Sequence, residues 1–349
     1  MKKILFSIAG AALLFASCRE QVSVEPLSLP ADSGVIVNVQ GVNLLKGNAE
    51  VQTDAEKNVT SLDIVIYDES GTYEAGKSFT DNPASKIGVD QVITGLTEGP
   101  KTICVAVNAA LETYPGTIGA FYTAVSNLAD NSVDNGFVMT GSVPTAAAAT
   151  PTRVVVPVKR IAAKFVVDGN ITVDLIEEDV KDFTVSKIYI ANAATASNFA
   201  FGAGTYKVAN PAYVNIIDKP TEFVKVDALR KFTVCEDPEW TSGKPYAGAS
   251  FYVYPNVLTE QKDLSDYYKL TTVVIEASYK DAAGQSQLCY YPIRLAQSID
   301  ANTVYRIGDI KITCIGVDNP IKDFNKIFVS FNVSVEDWTT YEVYNTYEF

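Results

Sequence analysis

Apolar and polar residues alternate through most of this chain in short runs. Clusters of Asp, Asn, Gly and Pro separate the runs. The period is two, the repeat of a strand with one face buried. It is clear in SLDIVIYDESGT, KTICVAVNAA, VSKIYIANA, SFYVYPN, KLTTVVIEASY, QLCYYPIRL, TVYRIGDIKITCIG and KIFVSFNVSVEDW. β-Branched and aromatic residues dominate these runs, as strands favour. RVVVPVKRIAAKFVVDG reads as two successive strands with Pro157 and the Lys159-Arg160 pair between them. Many short strands with regular turn signals predict a mainly β protein built of sandwiches. One segment breaks the pattern. In TIGAFYTAVSNLA the residues Ile118, Phe121, Tyr122, Val125 and Leu128 fall at helical spacing, so a helix is expected there, packed by that stripe on the first sandwich. PTAAAATPT, residues 144–152, reads as a surface loop of small residues before the last strand of the first domain.

Both ends of the chain carry strand patterns outside this series. Near the N-terminus, Val35, Val37 and Val39 alternate with Ile36, Asn38 and Gln40, and an apolar stretch to Leu45 follows. A polar linker opens at Lys46-Gly47, so an apolar strand is joined to the rest by a segment that a protease can cut. At the other end, Ile327 to Val335 read as a last strand, yet TTYEVYNTYEF continues beyond it. Tyr341, Val343, Tyr347 and Phe349 share one face of that extension. An apolar face needs cover, either from its own domain or from another molecule.

The first residues, MKKILFSIAGAALLFASC, place two lysines before an apolar stretch too short to be a permanent membrane span. Small residues then lead to Cys18, the layout of a bacterial lipoprotein signal with lipid attached at that cysteine. The mature protein is therefore expected outside the cytoplasm.

Composition removes several function classes. The chain of 349 residues is long enough for two domains, and its 47% hydrophobic content suffices for cores. A formal net charge of −13 is the wrong sign for nucleic-acid binding. There is no histidine, which excludes Ser-His-Asp and Cys-His catalysis and the commonest metal ligand. Carboxylate pairs such as Glu177-Glu178 or Asp263 with Asp266 have no motif around them and read as solvated surface. No enzyme activity, cofactor or metal site is expected. Cys104, Cys235, Cys289 and Cys314 form no CxxC pair and read as buried thiols, with a disulfide among the last three left open. Sequons at Asn58, Asn170 and Asn332 read as chance matches in a bacterial chain.

In order along the chain, the lipobox at Cys18, the apolar strand before Lys46, SLDIVIYDESG, GLTEGPKTICVAVNAA, NGFVMTGSV, VPVKRIAAKFVV, SFYVYPN, ANTVYRIGDIKITCIG and VSVEDW resemble the fimbrillin family of Bacteroidales, the subunits of type V pili. The resemblance implies two transthyretin-like β-sandwich domains in tandem with one or two short helices. It implies a signal peptide over 1–17, a propeptide over 18–46, an N-terminal domain over 47–158 and a C-terminal domain over 159–349. It further implies delivery to the outer membrane as a lipoprotein, then cleavage between Lys46 and Gly47 by a trypsin-like protease. Arg19 is a poor alternative, since cutting there leaves the strand in place. The pro-strand with Val35, Val37 and Val39 would be lost, and the groove filled by the C-terminal strand of another subunit. That donor strand, about 339–349, would present Tyr341, Val343, Tyr347 and Phe349. A strand and a groove on different surfaces build an open, head-to-tail homopolymer, an extracellular fimbrium. With both a cut site and a donor strand, the chain reads as a stalk subunit. The alternatives are a tip or anchor subunit, or a monomeric surface lipoprotein whose tyrosines, 19 in all, bind glycans or host ligands.

Overall fold

The computed structural model describes residues 33–41, 55–131, 136–176, 179–191, 193–194, 196–200, 234–236, 238, 240–241, 245–256, 270–295, 298–318, 329–337 and 340–345. These residues are mainly strand, in two successive β-sandwich units.

The first unit holds β1 (Gly34–Gly41), β2 (Leu62–Asp68), β3 (Tyr73–Phe79), β4 (Asp90–Thr94), β5 (Gly99–Val107), β6 (Val125–Asn127), β7 (Met139–Ala147) and β8 (Thr152–Arg160), with one short helix, α1 (Ile118–Thr123), before β6. Seven of these strands form one sheet in the order β3-β2-β5-β7-β8-β1-β4. The sheet folds on itself at a corner. β7 pairs with β8 only at Met139–Arg160 and Thr140–Lys159, while β8 pairs with β1 from Thr152 to Val158. The result is two layers, and side chains at alternate positions meet between them: Val35, Val37 and Val39 from one, Ile64, Ile66, Ile103 and Val105 from the other.

The second unit holds β9 (Ala163–Val173), β10 (Lys181–Ala191), β11 (Ala196–Asn198), β12 (Val234–Glu236), β13 (Pro245–Val253), β14 (Thr272–Lys280), β15 (Ser286–Arg294), β16 (Thr303–Ile312), β17 (Val329–Asp337) and β18 (Thr340–Asn345). A sheet in the order β13-β9-β16-β17-β18 faces another in the order β12-β10-β14-β15. Phe165, Ile188, Phe251, Ile275, Tyr291 and Ile307 fill the space between them.

A third cluster joins the units. Val65, Tyr67 and Cys104 on the outer face of the first unit meet Phe121, Phe137, Phe199, Tyr252, Tyr254 and Val304. β2 is thus covered on both faces, which explains why LDIVIYD is nearly all apolar.

Three expectations need correction. The helix expected to run to Leu128 stops at Thr123, and Val125–Asn127 is a strand paired with Ala196–Asn198. Thr117 caps its start through its hydroxyl, 3.2 Å from the Ala120 N–H. Phe121 and Leu128 are buried as expected, but Val125 is 54% exposed, because extended backbone after Ala124 turns it outward. Ser126 instead points inward, 2.6 Å from the Tyr254 hydroxyl. Second, residues 144–147 of the supposed loop complete β7, paired with β5 through Gly99–Ala147. Third, Pro157 and Lys159-Arg160 lie inside β8 rather than between strands, and the chain changes sheet at Ile161-Ala162. Cys104, Cys235, Cys289 and Cys314 form no disulfide.

Candidate functional site: the β1 slot

β1 lies between two strands that do not touch each other in the sheet. It runs parallel to β8, from Val35 opposite Thr152 to Gly41 opposite Val158. It runs antiparallel to β4, from Gly34 opposite Thr94 to Asn38 opposite Asp90. β4 pairs with no other strand among the described residues. Taking β1 away would therefore open a slot with two unpaired walls, not a single free edge.

The inward face of β1 is apolar and shut off from water. Val35, Val37 and Val39 are each 0% exposed. Burial of three valine side chains contributes roughly 1.5–3 kcal/mol each. Close backbone packing fixes the register. At Gly34 an added Cβ would lie 2.6 Å from the Ile93 carbonyl oxygen, so only glycine fits. Its N–H donates to the Ala148 carbonyl at 3.1 Å, and the Gly88 N–H donates to the Val39 carbonyl at 2.7 Å.

The outward face carries a polar clasp. Nδ2 of Asn38, itself 2% exposed, donates to the Gly88 carbonyl at 3.0 Å and to Asp90 Oδ1 at 2.6 Å. Asp90 also accepts from Arg153 Nε at 3.0 Å. Arg153 is on β8 and Asp90 on β4, so this ion pair passes across β1 and links both slot walls. The Arg153 guanidinium, followed by Asn38, holds the Asp90 carboxyl below its usual range. A depressed carboxylate contributes stability that is complete above its unfolded pKa of about 4 and lost as pH falls through the folded value. The exchange protection of β1 and β4 amides is thus expected to fall more steeply below about pH 4 in the native chain than in Asp90→Asn. Equal slopes would mean that the clasp does not hold the strand.

Of the residues singled out in the sequence, the pro-strand valines lie together in this slot. Cys18, Lys46, Gly47, Tyr347 and Phe349 lie outside the described residues. Tyr341 and Val343 fall in β18, which runs antiparallel along β17 with Val343 opposite Val335. In the intact chain this segment is an edge strand of its own sheet, with β17 as its one strand neighbour among the described residues. The sequence reading missed Asn38, Asp90 and Arg153. The one available signal was Asn38, a polar residue between Val37 and Val39.

Residues 36–157 match the family described as major fimbrial subunit protein (FimA). The match begins within β1 and ends within β8, so it takes in the slot and both its walls. No curated protein matches the chain. Among solved structures, a fimbrilin (FimA) from Porphyromonas gingivalis superposes with a TM-score of 0.64 at 16% identity, covering 89% of this chain and 99% of that one. A candidate cell adhesion protein from Parabacteroides distasonis gives 0.61 at 16% identity over 89% and 98%. Another from Bacteroides eggerthii gives 0.60 at 13% over 89% and 97%. At these identities the structures speak to fold, and the family match carries the likeness in sequence. Together they define the class to which this chain is similar, the structural subunits of surface fimbriae. The resemblance to fimbrillins stands.

Proposed function

We propose that the chain is a stalk subunit of a fimbrium, exported as an outer-membrane lipoprotein through Cys18. It is cut by a trypsin-like protease between Lys46 and Gly47 and joined head-to-tail by strand exchange. The observation that carries this reading is the position of β1. It is a central strand with three fully buried valines, yet it is joined to the rest of its unit only through the segment that contains Lys46. A single cut there separates the strand from the sandwich it completes. The vacated slot exposes apolar surface and the backbone groups of β4 and β8, which another strand with an alternating apolar face can cover.

β18 is the strand proposed to do so. Its backbone register runs antiparallel along β17, from Val333 opposite Asn345 to Asp337 opposite Thr340. An edge strand with one strand neighbour among the described residues is a suitable donor. Part of the tyrosine content, which suggested a glycan-binding alternative, is used in packing: Tyr67, Tyr189, Tyr254, Tyr291 and Tyr305 are among the largest fully buried side chains.

The test is N-terminal sequencing of protein sheared from cells, together with gel ladders run without boiling. The expected terminus is Gly47, and ladders should appear only after the cut. Cys18→Ala should abolish palmitate labelling and leave the chain off the outer membrane. A labelled or surface-delivered variant would refute the lipoprotein step alone.

A further inference from the structure

Where β8 runs past its pairing with β1 lies a buried ionic site that the strand-exchange reading does not use. Glu56 belongs to a single 3-10 turn, Ala55–Lys57, ten residues beyond Lys46. It is 0% exposed. Its Oε1 accepts from Lys164 Nζ at 2.8 Å and from the Tyr252 hydroxyl, and its backbone carbonyl accepts from Arg160 Nη2 at 2.9 Å. Arg160 ends β8, Lys164 is the second residue of β9 and Tyr252 is on β13, so one short turn is bound to both sandwich units. The backbone N–H of Arg160 donates in turn to Asn302 Oδ1 at 3.2 Å. The far side of Lys57 is held as well. The Asn58 carbonyl accepts from Asn108 Nδ2 at 2.9 Å, and the Gly136 Cα lies so close that an added Cβ would be 2.2 Å from that carbonyl oxygen.

Lys57 is the next basic residue after Lys46, so a protease that cuts after lysine meets two sites in succession. Cutting needs the residues on both sides of the scissile bond to enter the protease cleft in extended form. The bond after Lys57 joins it to Asn58, with Glu56 one residue upstream of Lys57. Glu56 and Asn58 would both have to leave their partners first, and Glu56 would leave two buried cations behind. We infer that the Glu56 site fixes the end point of processing. It withholds Lys57 from the maturation protease and keeps the new N-terminal segment tied to the junction of the two units when β1 departs. This rests on the reading that the chain is cut after Lys46.

Limited digestion of the full chain with trypsin, read by intact mass and N-terminal sequencing, tests it. The native chain is expected to yield a lasting product that starts at Gly47. Glu56→Gln keeps the shape and removes the charge, and it should release a product starting at Asn58 about tenfold faster or more, since local opening governs such cuts. Tyr252→Phe, which removes a single donor, should give a smaller increase. Adding Lys57→Gln to Glu56→Gln should abolish the second product and so identify the bond. Far-UV circular dichroism of each variant separates local loosening from unfolding. A folded Glu56→Gln chain that stops at Gly47 like the native one overturns the inference, as does a native chain cut equally fast at both lysines. A native chain never cut after Lys46 sinks the processing reading instead, while the Lys57 rates still judge the lock.

Discussion

Replacing Val37 by Asp is expected to destabilise the uncut chain severely and to leave the matured subunit untouched. Val37 is 0% exposed and packs among Val35, Val39, Ile64 and Val105. An uncompensated carboxylate there costs about 3–5 kcal/mol, or forces its own protonation. Val37→Ala should cost less, roughly 1–3 kcal/mol from lost apolar burial and the cavity left behind. Gln40→Glu, at an exposed position of the same strand, should change stability by under about 0.5 kcal/mol. Denaturant unfolding of the intact chains ranks the three. The second half of the experiment is the decisive one. If β1 is discarded at maturation, residue 37 is absent from the assembled form, so chains cut after Lys46 should build ladders of native length whichever residue stood at that position. A Val37→Asp protein whose cut product still polymerises poorly, at equal amounts of folded material, would show that β1 stays in the fimbrium. The proposal would then fail at its first step.

How much of this was legible beforehand depends on how local the cause is. Period-two alternation is set by the strand itself, and Val35, Val37 and Val39 were readable as one face without knowing what they meet. The same holds for the long runs of β5, β10, β14, β15 and β16. The segment from Val125 to Asn127 was misread because Ile118, Phe121, Tyr122 and Leu128 fit helical spacing, whereas the deciding contacts are distant in sequence. Val125–Asn127 pairs with Ala196–Asn198, and Ser126 meets Tyr254. Residues 144–147 looked like a loop because proline and alanine carry little strand signal, yet pairing to β5 extends them. The clasp was illegible for the same reason. Asn38, Asp90 and Arg153 are far apart in the chain and are joined only by the order β8-β1-β4. Glu56 is the clearest case. In sequence it is one acid in a polar linker, and only the fold sets it against Lys164 and Arg160.

Deleting residues 339–349 is expected to abolish polymers while leaving both the fold and the cut after Lys46 intact. β18 lies at the edge of its sheet, and its one strand neighbour among the described residues is β17. β17 is independently held by β16, from Thr303 opposite Asp337 to Ile312 opposite Val329. Losing an edge strand therefore removes one ladder and leaves the central pairing of β9, β16 and β17 in place. The slot in the first unit is distant in sequence and does not depend on residues 339–349 for any of its described pairings. The loss at the assembly step is large by contrast. Four donor side chains, Tyr341, Val343, Tyr347 and Phe349, would each contribute roughly 1.5–3 kcal/mol if buried in the slot. Without them the exposed walls of β4 and β8 have no strand to accept. Val343→Asp should act in the same direction, since an unpaired carboxylate in an apolar slot costs several kcal/mol. The two variants differ usefully in the uncut chain: the deletion shortens a sheet, whereas the substitution keeps it. If both stop ladders while thermal melts and the Gly47 terminus stay native, the C-terminal strand is the donor. If the truncated, cut chain still forms long ladders, some other strand fills the slot, and the head-to-tail stalk model loses its joint.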